Sequence, residues 1–142
     1  MQSKHITGIP QPKSGKSKKK QPSISSLKKK LWEVFSKYIR ARDSYICFTC
    51  NRKGEGSGIH AGHFIPKSVG GISLYFHEEN VRAQCYHCNI NLGGNQWEYG
   101  QRLGEETVKK LQLLRRETLK WGVGNYIEKI EFYKEKLKEY GP

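Results

Sequence analysis

What the sequence lacks narrows it first. Among its 142 residues no apolar run approaches the ~20 residues that a bilayer-spanning helix needs. The N-terminus has no apolar h-region of the kind that marks a secretory signal. Asp and Glu are missing from the first thirty residues, and no cysteine falls outside two Cys-x-x-Cys pairs. Only 35% of the residues are hydrophobic, so a sizeable core has to be concentrated in part of the chain. These absences exclude a membrane protein, argue against a secreted one, and leave a basic protein of the cytoplasm as the expectation.

What the chain has in excess is positive charge. Its 26 Lys and Arg face 13 Asp and Glu, a net +13, and the natural partner of such a surface is a polyanion. Nine of those charges are lysines within residues 1–30, which leaves +4 for residues 31–142. Residues 1–22 also carry Gly8, Pro10, Pro12, Gly15 and Pro22 and almost nothing apolar. Such a segment cannot offset its ordering entropy, so it reads as a disordered arm. It either binds phosphates without sequence preference or serves as a solubilising tail.

From residue 23 the pattern turns helical. Ser23 or Ser25 can cap a helix whose Leu27, Leu31, Val34, Phe35, Tyr38 and Ile39 recur at three- and four-residue steps. It is predicted to run to about Arg42, with Lys28–Lys30, Lys37, Arg40 and Arg42 on its wetter side. Extended runs are predicted at about 59–65 and 80–84, separated by Pro66 and the Gly70-Gly71 loop. Beyond Gly93-Gly94, residues Leu111, Leu114 and Trp121, then Tyr126, Ile127, Ile130, Phe132, Tyr133 and Leu137, fit two amphipathic helices broken at Gly122 and Gly124. They are expected to pair as a hairpin over 104–142 that serves packing or dimerisation.

The cysteines are Cys47 and Cys50, then Cys85 and Cys88. Two residues between thiolates make a tight knuckle whose sulfurs converge on one ion, so this set reads as a tetrahedral Zn²⁺ site. With four thiolates and no open position the zinc would be structural. A disulfide or redox pair is the competing reading; a basic intracellular chain with no βαβ context around either motif weighs against it.

Between and around the knuckles stand Ala61-Gly62-His63-Phe64, Asn80-Val81-Arg82-Ala83-Gln84-Cys85, Cys88-Asn89, and Gly94-Asn95 followed by Tyr99. On these residues the sequence resembles the HNH endonucleases and, among them, the lambda NinG/Rap recombination proteins, over roughly 40–140. The resemblance implies an α+β fold: a treble-clef, ββα-metal HNH core with a structural four-cysteine zinc, flanked by an N-terminal helix and C-terminal helices. The core with its leading helix would occupy 23–103. Also implied is a metal-dependent, structure-selective DNA endonuclease that hydrolyses phosphodiesters in branched recombination intermediates, Holliday junctions or D-loops, in a phage or prophage setting. Its catalytic ion would be Mg²⁺ or Mn²⁺.

Elementary chemistry assigns roles within that expectation. Hydrolysis needs an activated water, and His63 is the candidate general base because an imidazole titrates in the useful range. By resemblance, the Asn80 amide ties down the loop between the strands and so aims His63. Asn89 is expected to open the helix after the second knuckle and to offer an amide oxygen to a hard divalent ion. One departure is Gly62, which stands where many HNH enzymes have a metal-ligating Asp or His. Strand alternation puts His60 on the same face, so His60 is expected to replace that ligand; alternatively Asn89 holds the ion alone or with Glu79. Lys67 and Arg82 border the site as phosphate contacts or as a solvated face. His77 and His87 carry less weight, His5 falls in the arm, and Asn95 and Tyr99 fix a loop or touch DNA.

A non-catalytic zinc-stabilised DNA-binding module and a sequence-specific HNH endonuclease are the other readings. Four-way junctions have two-fold symmetry, which would favour a homodimer joined through the aromatic seam of Trp121, Tyr126, Phe132 and Tyr133. The same seam could equally close the monomer's own core.

Overall fold

The computed structural model describes residues 21–141. The arm expected over 1–22 therefore lies outside the described residues except for Gln21 and Pro22. The chain orders its elements as α1 (Ile24–Arg42), β1 (Ile59–His63), a single turn α2 (Ile72–Tyr75), β2 (Val81–Cys85), α3 (Gln96–Leu103), α4 (Glu105–Leu114) and α5 (Val123–Lys138). The two strands pair antiparallel with His60 opposite Gln84 and His63 opposite Val81. Helices and a two-stranded sheet thus share one α+β structure. No helix among the described residues is long and apolar enough to cross a membrane.

Helix α1 begins where the Ser23 hydroxyl oxygen accepts the Ser26 N–H at 3.2 Å, which satisfies one first-turn donor. Its Leu27, Leu31, Phe35, Tyr38 and Ile39 are buried together with Phe76, Val81 and the Tyr126, Ile130 and Tyr133 of α5. Phe35 meets Tyr133 edge to face, ring centres 4.9 Å apart. A second cluster joins Phe64, Ile65, Leu74, Tyr99 and Leu111, which seats α3 and α4 behind the end of β1.

Between these cores, Asp43 locks the end of α1 to β2. Its carboxylate accepts from Arg42 Nε (2.8 Å), from Arg82 (3.3 Å) and from the Ala83 backbone N–H (2.8 Å). Arg42 in turn donates to the carbonyls of Glu78 and Val81. Arg42 is therefore not on a wet face; a cation in the last helical turn is drawn to an acid at the helix end and to free carbonyls.

The C-terminal expectation is corrected. Helices α4 and α5 do not form a hairpin: α5 lies along α1, while α4 packs on α3 and α2. Their apolar seams find separate partners, so the boundary at 103/104 cuts through shared cores. Trp121 is not part of α4 but sits in the loop after it, stacked on Phe76 at 5.7 Å. Tyr126 and Tyr133 are buried within the monomer and Phe132 is exposed, so most of the seam proposed for dimerisation is already used.

The helix expected from Asn89 is also different. Asn89 lies inside one wide π-helical turn, His87–Asn91, and a true helix resumes only at Gln96. Gly93, Gly94 and Asn95 intervene with φ of 59°, 96° and 50°, which no continuous right-handed helix can accommodate.

Replacing Asp43 with Ala removes the counter-charge of two guanidinium groups, leaving Arg42 only its two carbonyls, and strands the Ala83 N–H. The expected loss is roughly 2–3 kcal/mol of unfolding free energy by denaturant titration. A loss below about 0.5 kcal/mol would show that the clamp contributes little.

Candidate functional site

The two cysteine pairs meet because the hairpin brings Cys85, opposite Ile59, back over the first knuckle. All four sulfurs lie within 4.8 Å of one another. Four sulfurs bound at ~2.3 Å around a tetrahedral ion sit about 3.8 Å apart, so the cluster could hold a metal ion such as zinc. The cysteines are free of disulfides, as a shared ion requires. Thr49 contacts Cys47 Sγ at 3.4 Å, and the Cys88 N–H and the Asn95 side-chain amide donate to Cys85 Sγ and Cys88 Sγ.

His63 closes β1, and three contacts from two neighbours fix its ring. Its Nε2 is 2.8 Å from the Tyr75 carbonyl, Trp32 of α1 stacks on it at 5.2 Å, and Tyr75 meets it edge on. A carbonyl can only accept, so Nε2 carries the proton and Nδ1 keeps a free lone pair. Burial, reinforced by the Lys67 charge and opposed by the Tyr75 hydrogen bond, pushes the imidazole pKa down from 6.5 to about 4. At neutral pH the ring is uncharged with one basic nitrogen available.

The carbonyl that orients His63 is itself braced. Asn80 is fully buried; its Nδ2 donates to the carbonyls of Leu74 (3.0 Å) and Ile65 (3.1 Å), and its Oδ1 accepts the Ile65 N–H at 2.8 Å. All its polar positions are spent on the loop between the strands, next to Tyr75. Tyr99, also buried, donates from its hydroxyl to the Gly62 carbonyl at 2.8 Å and so pins the residue before His63.

Gly62 lacks a side chain because there is no room for one. A Cβ there would stand 2.0 Å from Gln84 Oε1 and 2.9 Å from Asn89 Oδ1. Gln84 cannot turn away, since its amide nitrogen donates to the Gly94 carbonyl (2.8 Å) and to Thr49 Oγ1 (3.2 Å). Its Oε1 is left buried without a hydrogen-bond partner.

His60 and Asn89 are brought together. Asn89 Nδ2 lies 3.2 Å from His60 Nδ1, while His60 Nε2 reaches the Ser57 carbonyl at 3.1 Å. The Ser57 carbonyl holds the ring proton on Nε2, so the Asn89 amide donates to the His60 Nδ1 lone pair, and a metal ion would have to replace this hydrogen bond to take Nδ1 as a ligand. The unpartnered Gln84 oxygen and Asn89 Oδ1 add oxygen character to the same corner. Glu79 does not join them: it is paired with Lys110 of α4.

His60, Asn89, Trp32, Arg40 and Lys67 line one cleft, which continues past Ala61 and Asn89 to His63 and Gln96. No carboxylate is among the residues lining it. Lys67 holds its ammonium 4.4 Å over the Trp32 ring. Arg82, the other expected phosphate contact, is not in the cleft: it pairs with Asp43 and stacks on Phe48. His77 accepts the Glu79 N–H, and His87 is exposed beside Asn91. A larger groove of about 630 Å³ runs between α3 and α4, but its charged lining residues, Glu105 and Lys109, neutralise each other.

Sequence reasoning missed Trp32, Arg40 as a cleft residue, Gln84 and the Tyr75 carbonyl. The signal for the first two is a four-residue repeat on α1, Lys28, Trp32, Ser36 and Arg40, beside the apolar face. Nothing in the sequence marks a backbone carbonyl.

These features define a small α+β protein in which a four-cysteine cluster braces a two-stranded hairpin beside a basic cleft. A family model described as the bacteriophage lambda NinG protein matches residues 9–141. The chain belongs to that family. No match was found among curated proteins or among solved structures.

Two outcomes follow. Gly62→Ala forces a methyl group onto Gln84 Oε1 and is expected to destabilise the fold by roughly 1–3 kcal/mol in denaturant titration; an unchanged midpoint would mean that the Gln84 side chain yields freely. The depressed His63 pKa also predicts a pH dependence. Between about 4 and 6.5 the unfolded chain binds the extra proton, so stability falls as pH is lowered through that window. His63→Gln should lose that part of the slope in pH-dependent unfolding, and equal slopes for the two proteins would refute it.

Proposed function

We propose that the chain is a metal-dependent HNH-type endonuclease that hydrolyses phosphodiesters in branched DNA intermediates of phage recombination. One observation carries the reading: a neutral His63 with its Nδ1 free, held at an open basic cleft beside His60 and Asn89. On this reading the hairpin, the cysteine knuckles and the turn bearing Asn89 form the ββα-metal core, and the four-cysteine cluster holds structural zinc.

The chemistry runs through the chain's own groups. His63 Nδ1 takes the proton of the attacking water, and the low pKa of the ring keeps it unprotonated at neutral pH. The Tyr75 carbonyl stabilises the imidazolium that forms and holds its tautomer, as a positioned carboxylate does in other His-dependent sites. Lys67 and Arg40 offset the phosphate charge at the cleft wall. A Mg²⁺ or Mn²⁺ ion held by Asn89 and His60 would neutralise charge on the phosphate and the leaving alkoxide. Asn80 and Tyr99 fix the backbone on either side of His63.

A second reading, a zinc-stabilised DNA-binding module without catalysis, draws on the lack of any carboxylate in the cleft lining. A cleavage assay on matched linear, flap and four-way DNA with Mg²⁺, Mn²⁺ or EDTA separates the two. Branched DNA should be cut with Mg²⁺ or Mn²⁺ and spared in EDTA, and His63→Ala should slow cutting on the order of 10²–10⁴-fold while keeping its zinc. Full activity in His63→Ala removes that residue from the mechanism. Salt-dependent binding with no cleavage under any ion would favour the binding module, and cutting of linear duplex at one defined site a sequence-specific enzyme.

A further inference from the structure

Helix α1 carries a row of residues at four-residue spacing, Lys28, Trp32, Ser36 and Arg40, beside its buried apolar face. Three of them, Trp32, Ser36 and Arg40, line the cleft with His60 and Lys67. Lys28 extends the row by one turn, its ammonium 4.3 Å over the Tyr75 ring. At 1.5 Å per residue the row is about 18 Å long, roughly half a turn of duplex DNA.

The cations of this row are held in place yet not neutralised. Arg42, Arg82, Arg102, Lys109, Lys110, Lys134, Lys136 and Lys138 each pair with a carboxylate. Among the described residues Lys28, Arg40 and Lys67 have no such partner, a property they share with exposed cations such as Lys29, Lys37 and Lys53; what sets them apart is that each is held by a neighbour at or next to the cleft. Lys28 and Lys67 instead lie over aromatic rings, which hold an ammonium in place without cancelling its charge. Arg40 donates from Nε to the Ser36 carbonyl at 3.1 Å, which aligns its guanidinium along the helix and leaves its other donors for a ligand. The result is two fixed, uncompensated cations, Arg40 and Lys67, in a cleft with no acid in its lining, and a third, Lys28, one helical turn beyond it over Tyr75.

We propose that Lys28 and Arg40 of α1, with Lys67, form a track for the DNA phosphodiester backbone, carrying the strand past His63. The row reads charge and spacing, so it serves linear and branched DNA alike; branch selection lies elsewhere. This inference rests on the reading of the cleft as a DNA site, but not on catalysis.

The test measures binding of labelled linear and four-way DNA by fluorescence anisotropy, with no added divalent ion, across about 50–200 mM salt. Lys28→Gln and Arg40→Gln should each lower the slope of log affinity against log salt by about one, and the double variant by about two, equally on both DNAs. Arg40→Lys keeps the charge and should keep the slope, a rescue that a purely structural role for the Nε bond would not give. Lys134→Gln and Lys138→Gln, on exposed α5 positions, should leave the slope unchanged. The track is overturned if the α1 variants retain the wild-type slope, if the α5 controls lower it equally, or if an acidic protein competes as well as DNA does. Cleavage with an unaltered slope would sink the track and keep the nuclease; a lowered slope without cleavage would do the reverse. No DNA binding by the wild-type chain would sink both.

Discussion

At Gly62 the backbone of β1 is pressed from three directions at once, and much of the architecture follows from how tightly it fits there. The Gln84 carboxamide lies against its α-carbon, the Asn89 oxygen approaches from the following turn, and the Tyr99 hydroxyl holds its carbonyl. These contacts come from β2, from the turn after the second knuckle and from α3. A single residue without a side chain thus lets the hairpin, the cysteine cluster and the C-terminal helices close on one point. The cost is a buried carbonyl oxygen on Gln84 with no conventional donor, an arrangement that persists only where the surroundings over-determine it.

The next residue along shows the opposite economy. Every polar atom that touches His63 or its support is matched: a ring N–H with a carbonyl, and the Asn80 amide with two carbonyls and an N–H. In a low-dielectric setting such a matched chain is stiff, and it selects one tautomer. Aromatic faces surround the ring and the Lys67 cation stands beyond them, so the imidazole is held neutral chiefly by burial, with the Lys67 charge adding to it.

Different levels of this structure were legible in the sequence to different degrees. Helix α1, its Ser23 cap and the approximate strand positions follow from periodicity and capping chemistry, because these are local. The convergence of Cys47, Cys50, Cys85 and Cys88 follows from knuckle spacing. Partner choice does not follow. The apolar faces of α4 and α5 declare that each must be covered, but not that α1 covers one and α3 the other. Charge is similarly mute about pairing: Arg40, Arg42 and Arg82 look alike in sequence, yet Asp43 claims two of them and leaves the third in the cleft. Helix α3 is hidden behind Gly94 and Asn95 and interrupted by Gly100, so its short run falls below what periodicity can resolve.

Asn89 is joined directly to Cys88, and Gln84 directly to Cys85. The Asn89 amide, which lines the cleft, and the buried Gln84 amide are therefore each one peptide bond from a cysteine of the cluster, too short a tether for either to move on its own. The position of both amides is accordingly set by the geometry of the sulfur cluster. An open sulfur cage would leave the Gly62 corner without the two amides that press on it.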